Sequence, residues 1–158
     1  MTDLPTENVQ SYPRPPALEP VTQTLRLAVD GVEVARTDAA LRICETHHPP
    51  SYYLPPDALA PGLLRDAGGG SWCEWKGRAA YFDVMGGAGP ILRGAWAYPA
   101  PTARFARLAG HVAFYLSDRV RGWVGDTEAT PQPGGFYGGW VTPNLTGRIK
   151  GPPGTGHW

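Results

Sequence analysis

Apolar residues in this chain recur at every second position in short runs, and glycine or proline soon interrupts each run. This pattern restricts the fold more than any other feature. Alternation with period two puts apolar side chains on one face of an extended strand. Gly supplies left-handed turn conformations, and Pro lacks the N–H that a helix or a central strand needs. With 21 Gly and 18 Pro among 158 residues, little room is left for long helices. The expected fold class is all-β (mainly β), a small open barrel or sandwich of antiparallel strands with one or two short helical turns. The length is that of one domain, enough to bury a core without disulfide staples.

Along the chain, residues 1–22 are polar and Pro-rich and cannot form a core of their own, so they read as an N-terminal arm. A β-domain is expected over 23–126, and 127–158 reads as a Gly/Pro-rich tail without periodicity. LRLAVDGVEVART predicts two strands joined at Asp30-Gly31, because Gly accepts the positive φ of a tight hairpin turn. ALRICETHH predicts a strand with Leu41 and Ile43 on one face, stopped by His48-Pro49-Pro50. SYYL resumes as an extended run, and Pro55-Pro56-Asp57 opens a helical turn. Lys76-Gly77 predicts a turn between two strands. ILRGAWAYP predicts another strand, with Trp96 and Tyr98 on one face. Ser117-Asp118-Arg119 is expected to close a last hairpin between LAGHVAFYL and VRGWV, and 102–110 is the one stretch with helical character.

Charge and composition exclude several functions. Net charge is zero, 14 basic against 14 acidic side chains, so no basic face for a nucleic-acid backbone is expected. No apolar run approaches the roughly 18 residues of a membrane helix. MTDLPTENVQ lacks the basic and apolar regions of a signal peptide, and two cysteines make no disulfide framework. The expectation is a cytoplasmic protein with free thiols.

Two segments carry the candidate chemistry. In CETHHPPSYYLPP, Glu45 and His48 crowd a strand end beside an enforced break, where functional residues gather. The plainer alternative is a pair of surface residues beside a Pro turn. Cys44-x-x-His47 has metal-ligand spacing, but the chain has no paired C-x-x-C motif, so no metal is assigned. In SWCEWKGRAAYFDV, Lys76 is one of two lysines, with Lys150, against twelve arginines. A lysine kept in an Arg-biased chain suggests a compact charge that reaches an anionic group, or a nucleophile. The alternative is a solvated turn residue. Cys73 is read as a small apolar neighbour of the pocket rather than a nucleophile. Most of the strand aromatics must be core, with a subset lining a pocket.

LRICETHHPPSYYLPPDAL, WCEWKGRAAYFDV, AWAYPAP and LAGHVAFY resemble, in order and spacing, the bacterial family catalogued as domain of unknown function 427. The tail GFYGGWVTP…GPPGTG is similar to the form in actinobacterial members. The resemblance implies a β-tent fold, similar to Mss4-like and methionine sulfoxide reductase B domains. Zinc, which many of those relatives hold on paired Cys motifs, is not carried over. The family also bears a nucleotidyltransferase label, but no paired Asp motif for Mg²⁺ is seen. Its pattern falls on Glu45, His48, Tyr53, Cys73, Lys76, Gly77, Tyr81, Trp96 and Tyr98.

The leading expectation is therefore a small-molecule site. Glu45 and His48 would be an acid/base pair, with Lys76 binding an anion or acting as nucleophile. Tyr53, Cys73, Tyr81, Trp96 and Tyr98 would line the ligand. A binding module without chemistry, nucleotidyl transfer, and a homo-oligomer embraced by the terminal arms are the competing readings. Cofactor and oligomeric state are left unassigned.

Overall fold

A computed structural model describes residues 3–73, 75–134 and 137–151. Glu74, residues 135–136 and the final PPGTGHW beyond Gly151 lie outside the described residues. The chain is mainly β, and its larger sheets are antiparallel.

Leu25–Val29 and Val32–Thr37 form the expected hairpin. Asp30 and Gly31 at its tip both have positive φ, 49° and 82°, as a two-residue turn matching strand twist requires. Val120–Val124 and Thr127–Glu128 complete a four-stranded sheet beside them. A five-stranded sheet is built on Gly77–Gly86 and Gly89–Ala97, flanked by Val112–Phe114, Leu64–Asp66 and Ser71–Cys73. Ala17–Pro20, Leu41–Cys44 and Ser51–Tyr53 form a three-stranded sheet. An antiparallel bridge between Leu54 and Val112 joins it to the edge of the five-stranded one.

The expected hairpin at Ser117–Arg119 does not form. The chain does turn there, with the Ser117 N–H donating to the Val120 carbonyl. However, Val120–Val124 pairs with Leu25–Val29, and Val112–Phe114 pairs with Gly89–Ala97. The turn passes the chain from one sheet to the other. Arg119 fixes this crossing with two 2.8 Å bonds to the Asp30 carboxylate, which also accepts from the Ala88 N–H. The arginine hydrogen bonds hold the Asp30 carboxyl at about 2, well below its usual range. Residues 103–108 form 3₁₀ turns kinked at Phe105 rather than an α-helix.

Alternation along two strands separates two cores. Ala95, Ala97, Val112 and Phe114 face a first cluster with Leu25, Leu27, Val84, Val120 and Trp140. Trp96, Tyr98 and Ala113 face a second cluster with Leu41, Ile43, Tyr53, Phe105 and Leu108. The first fills the space between the four- and five-stranded sheets. The second covers the other face, where Leu41, Ile43 and Tyr53 of the three-stranded sheet pack against it. The terminal segments also pair: Glu7–Asn8 runs parallel with Leu145–Thr146, and Thr130–Pro131 pairs with Trp140–Val141. No helix among the described residues is long and apolar enough to cross a membrane.

Candidate functional site

Four local structures converge on one place. The strand Leu41–Cys44 ends in a turn, closed by the His48 N–H donating to the Glu45 carbonyl with His47 at φ 68°. This turn sets Glu45 and His48 side by side. In the hairpin between Ser71–Cys73 and Gly77–Gly86, Gly77 at φ 106° pairs with Cys73. Thr102 ties this tip down, donating through its N–H to the Lys76 carbonyl and through Oγ1 to the Trp75 carbonyl. Lys76 is thereby held at a fixed point on the second core's edge. The strand Gly89–Ala97 contributes Trp96 and continues to Tyr98. The tail from Pro131 to Lys150 folds back across the opening.

Between these structures lies an open cleft of about 760 Å³. Glu45, His48 and Lys76 line it together. So do Tyr53, Cys73, Tyr81, Trp96 and Tyr98, so the eight side chains singled out from sequence share one cavity. Tyr53 forms its floor, fully buried, with its hydroxyl accepting from Trp96 Nε1 at 3.2 Å. Burial pushes the phenols of Tyr53 and Tyr98 well above their usual range, so both stay protonated. Tyr81 exchanges a 2.7 Å hydroxyl hydrogen bond with Ser71 at the rim. Cys73 is half-buried there. By contrast Cys44 is buried away from the cleft, its thiol pushed up to about 12 by burial, and His47 binds the Arg148 carbonyl.

The structure adds residues that sequence reasoning did not place. Lys150, Tyr137 and Gln132 enter from the tail, and Arg93 from the strand Gly89–Ala97. Arg93 sits at φ 51°, where the pairing register of its strand shifts. Such a bulge re-aims a side chain against strict alternation, which is why period two could not find it. Three cations thus line the cleft, and each lies over a lining tyrosine. Lys76 is 5.5 Å from the Tyr98 ring centre, Lys150 5.2 Å from Tyr137, and Arg93 4.1 Å from Tyr81. Among the described residues, neither Lys76 nor Arg93 has a carboxylate at ion-pair distance. Glu45, the cleft's carboxylate among the described lining residues, pairs with Arg14 at 3.7 Å.

His48 is half-buried between these charges. Burial first, then the nearby Lys150, Lys76 and Arg14, lower its imidazole to about 4, so the ring is neutral at physiological pH. Its edge meets the Tyr137 ring at 4.9 Å. Among the described residues no three His, Cys, Asp or Glu side chains group to hold a metal ion.

The family model described as domain of unknown function (DUF427) matches residues 17–126, well over half of the chain. The chain belongs to the domain of unknown function 427 family. No curated protein matches it. The match to the 427 family covers the Glu45–His48 turn, the Lys76 hairpin and the aromatic floor. Gln132, Tyr137 and Lys150 lie beyond it, so one wall of the cleft is built from outside the matched region.

Proposed function

We propose that this 427-family protein binds a small molecule with an anionic head and a flat or apolar body in the cleft. The observation that carries this reading is the charge of the lining. In a chain of zero net charge, Lys76, Arg93 and Lys150 gather around one cleft with a single described carboxylate, which has its own partner in Arg14. A cation held over a tyrosine ring is partly desolvated, so an oxyanion reaching it gains more than it would in open water. The aromatic floor of Tyr53, Trp96 and Tyr98 offers a surface for the ligand's body. The shared chemistry is an oxyanion, carboxylate or phosphate.

This reading favours binding over general-acid catalysis by His48, because the ring is neutral at physiological pH and holds no imidazolium proton to give. Metal-assisted nucleotidyl transfer calls for paired carboxylates near the phosphates, and among the described lining residues Glu45 alone does not supply them. The test is isothermal titration of the full chain with phenyl phosphate and with benzoate, which separates the two head groups. At least one is expected to bind. Lys76→Met is expected to weaken that binding about ten- to hundredfold, the range for a hydrogen bond to a charged partner. Arg36→Met, which disturbs only an exposed pair with Glu33, is expected to leave it unchanged. Failure of both probes to bind, or equal affinity in Lys76→Met, would sink the reading.

A further inference from the structure

Gln132 is buried, and its amide orientation is fixed without reference to His48. Its Oε1 accepts from the Gly139 N–H at 3.1 Å, and its Nε2 donates to the Lys150 carbonyl at 2.6 Å. Turning the amide over would set oxygen against a carbonyl and nitrogen against an N–H, so one orientation satisfies both. The second Nε2 hydrogen then goes to His48 Nδ1, 3.1 Å away. A donor in that place requires an unprotonated Nδ1, so the neutral ring carries its proton on Nε2. His48 Nε2 has no hydrogen-bond partner among the described residues. No fully buried side-chain nitrogen or oxygen among them lacks a partner either, so Nε2–H is open to solvent. His48 itself lines the cleft.

We infer that Gln132 locks His48 as a fixed hydrogen-bond donor to the ligand's oxyanion, so that the C-terminal tail completes the site and selects ligands with an acceptor-only head. The inference rests on the anion-binding reading above and gives it a direction. A general base must offer a lone pair to the reacting proton. In this tautomer the exposed nitrogen has none, and the lone pair on Nδ1 is taken by Gln132. His48 therefore orients an anion and removes no proton from it. The charged and titratable groups around the ring come from every side: Lys76 from the hairpin, Lys150 and Tyr137 from the tail, Arg14 from the N-terminal segment and Glu45 from its own turn. Three of these are cations, which disfavour an imidazolium and favour an oxyanion at the same spot.

The test is long-range ¹H–¹⁵N correlation of the histidine rings in the full-length protein, alone and with phenyl phosphate or benzoate. His48 is expected to show a protonated Nε2 and a bare Nδ1 from about pH 5.5 to 8. The bound probe should shift the Nε2–H resonance and leave Nδ1 bare. Gln132→Glu should move the ring's titration midpoint from about 4 into the neutral range, since a carboxylate partner favours the imidazolium. An Nδ1–H tautomer in the wild-type ring overturns the proposal while anion binding by the lysines still stands. Probe binding that leaves the Nε2–H resonance unmoved overturns it in the same way. Failure of both probes to bind overturns the anion-binding reading itself, and the donor role with it, whatever the tautomer. The wild-type spectrum decides the tautomer even if Gln132→Glu does not fold.

Discussion

Trp140→Ala is expected to lower the free energy of unfolding by about 3–5 kcal/mol, the usual cost of deleting a large buried aromatic. Trp140 lies in the tail, beyond the residues matched to the 427 family, yet it is 1% exposed and belongs to the first core. Its ring packs 5.2 Å from that of Tyr52, and its Nε1 donates to the Phe114 carbonyl at 3.1 Å. Gly122 makes room for it: a Cβ there would come within 2.6 Å of the indole. The backbone is tied as well, with the Trp140 N–H donating to the Pro50 carbonyl, two residues after His48. The truncation would leave a void between the sheets and an unpaired carbonyl at Phe114. Urea unfolding at constant slope reads the change as a shift in midpoint. Trp140→Phe, which keeps most of the volume and loses the hydrogen bond, should cost markedly less. A loss below about 1 kcal/mol for Trp140→Ala would mean that the tail rests on the core without belonging to it.

The tail shows where sequence reading ends. Its strands are two residues long, too short to have a period, so alternation gives no signal. The long strands were legible because each repeats its pattern. Leu41 and Ile43 do share a face, as do Trp96 and Tyr98, and Asp30-Gly31 does turn a hairpin. The hairpin expected at Ser117–Arg119 failed because a turn signal says that the chain reverses and not which strand it then joins. Non-local pairing with Leu25–Val29 won, since it buries Val120 and Val124 between two sheets. Within the cleft, Lys76 stood out by its rarity. Lys150 shares that rarity, but nothing in the sequence brings residue 150 beside residue 48. Gln132 was invisible for a related reason. Its position depends on Gly139, Lys150 and His48, and no local pattern encodes three such partners.

Mild acid is expected to destabilise the fold through His48 before the carboxylates take part. The sign follows from the direction of its shift. Burial, Lys150, Lys76 and Arg14 lower the folded-state value to about 4, while an unfolded histidine titrates near 6.5. Between these values the unfolded chain binds a proton that the folded one refuses, so stability falls as pH falls through this window. Above about 6.5 the contribution is fully present, and below about 4 no more is lost. At about 1.4 kcal/mol per pH unit, a ring mostly shielded from water gives a loss of about 2–3 kcal/mol across the window. The carboxylates held low by arginine partners, Asp30 with Arg119 and Asp83 with its Arg93 N–H and Arg65, weaken the fold only further into acid. Urea midpoints of wild type and His48→Asn, measured from pH 7.5 down to about 4.5, separate the two sources. The difference between them should shrink or change sign by most of that amount as the pH falls, because the variant has no ring to protonate. Parallel pH profiles would mean that His48 takes up a proton as easily in the fold as out of it. The lysines at the cleft would then be too well screened to act on a neighbouring charge, and an incoming oxyanion would gain as little from them as the imidazolium loses.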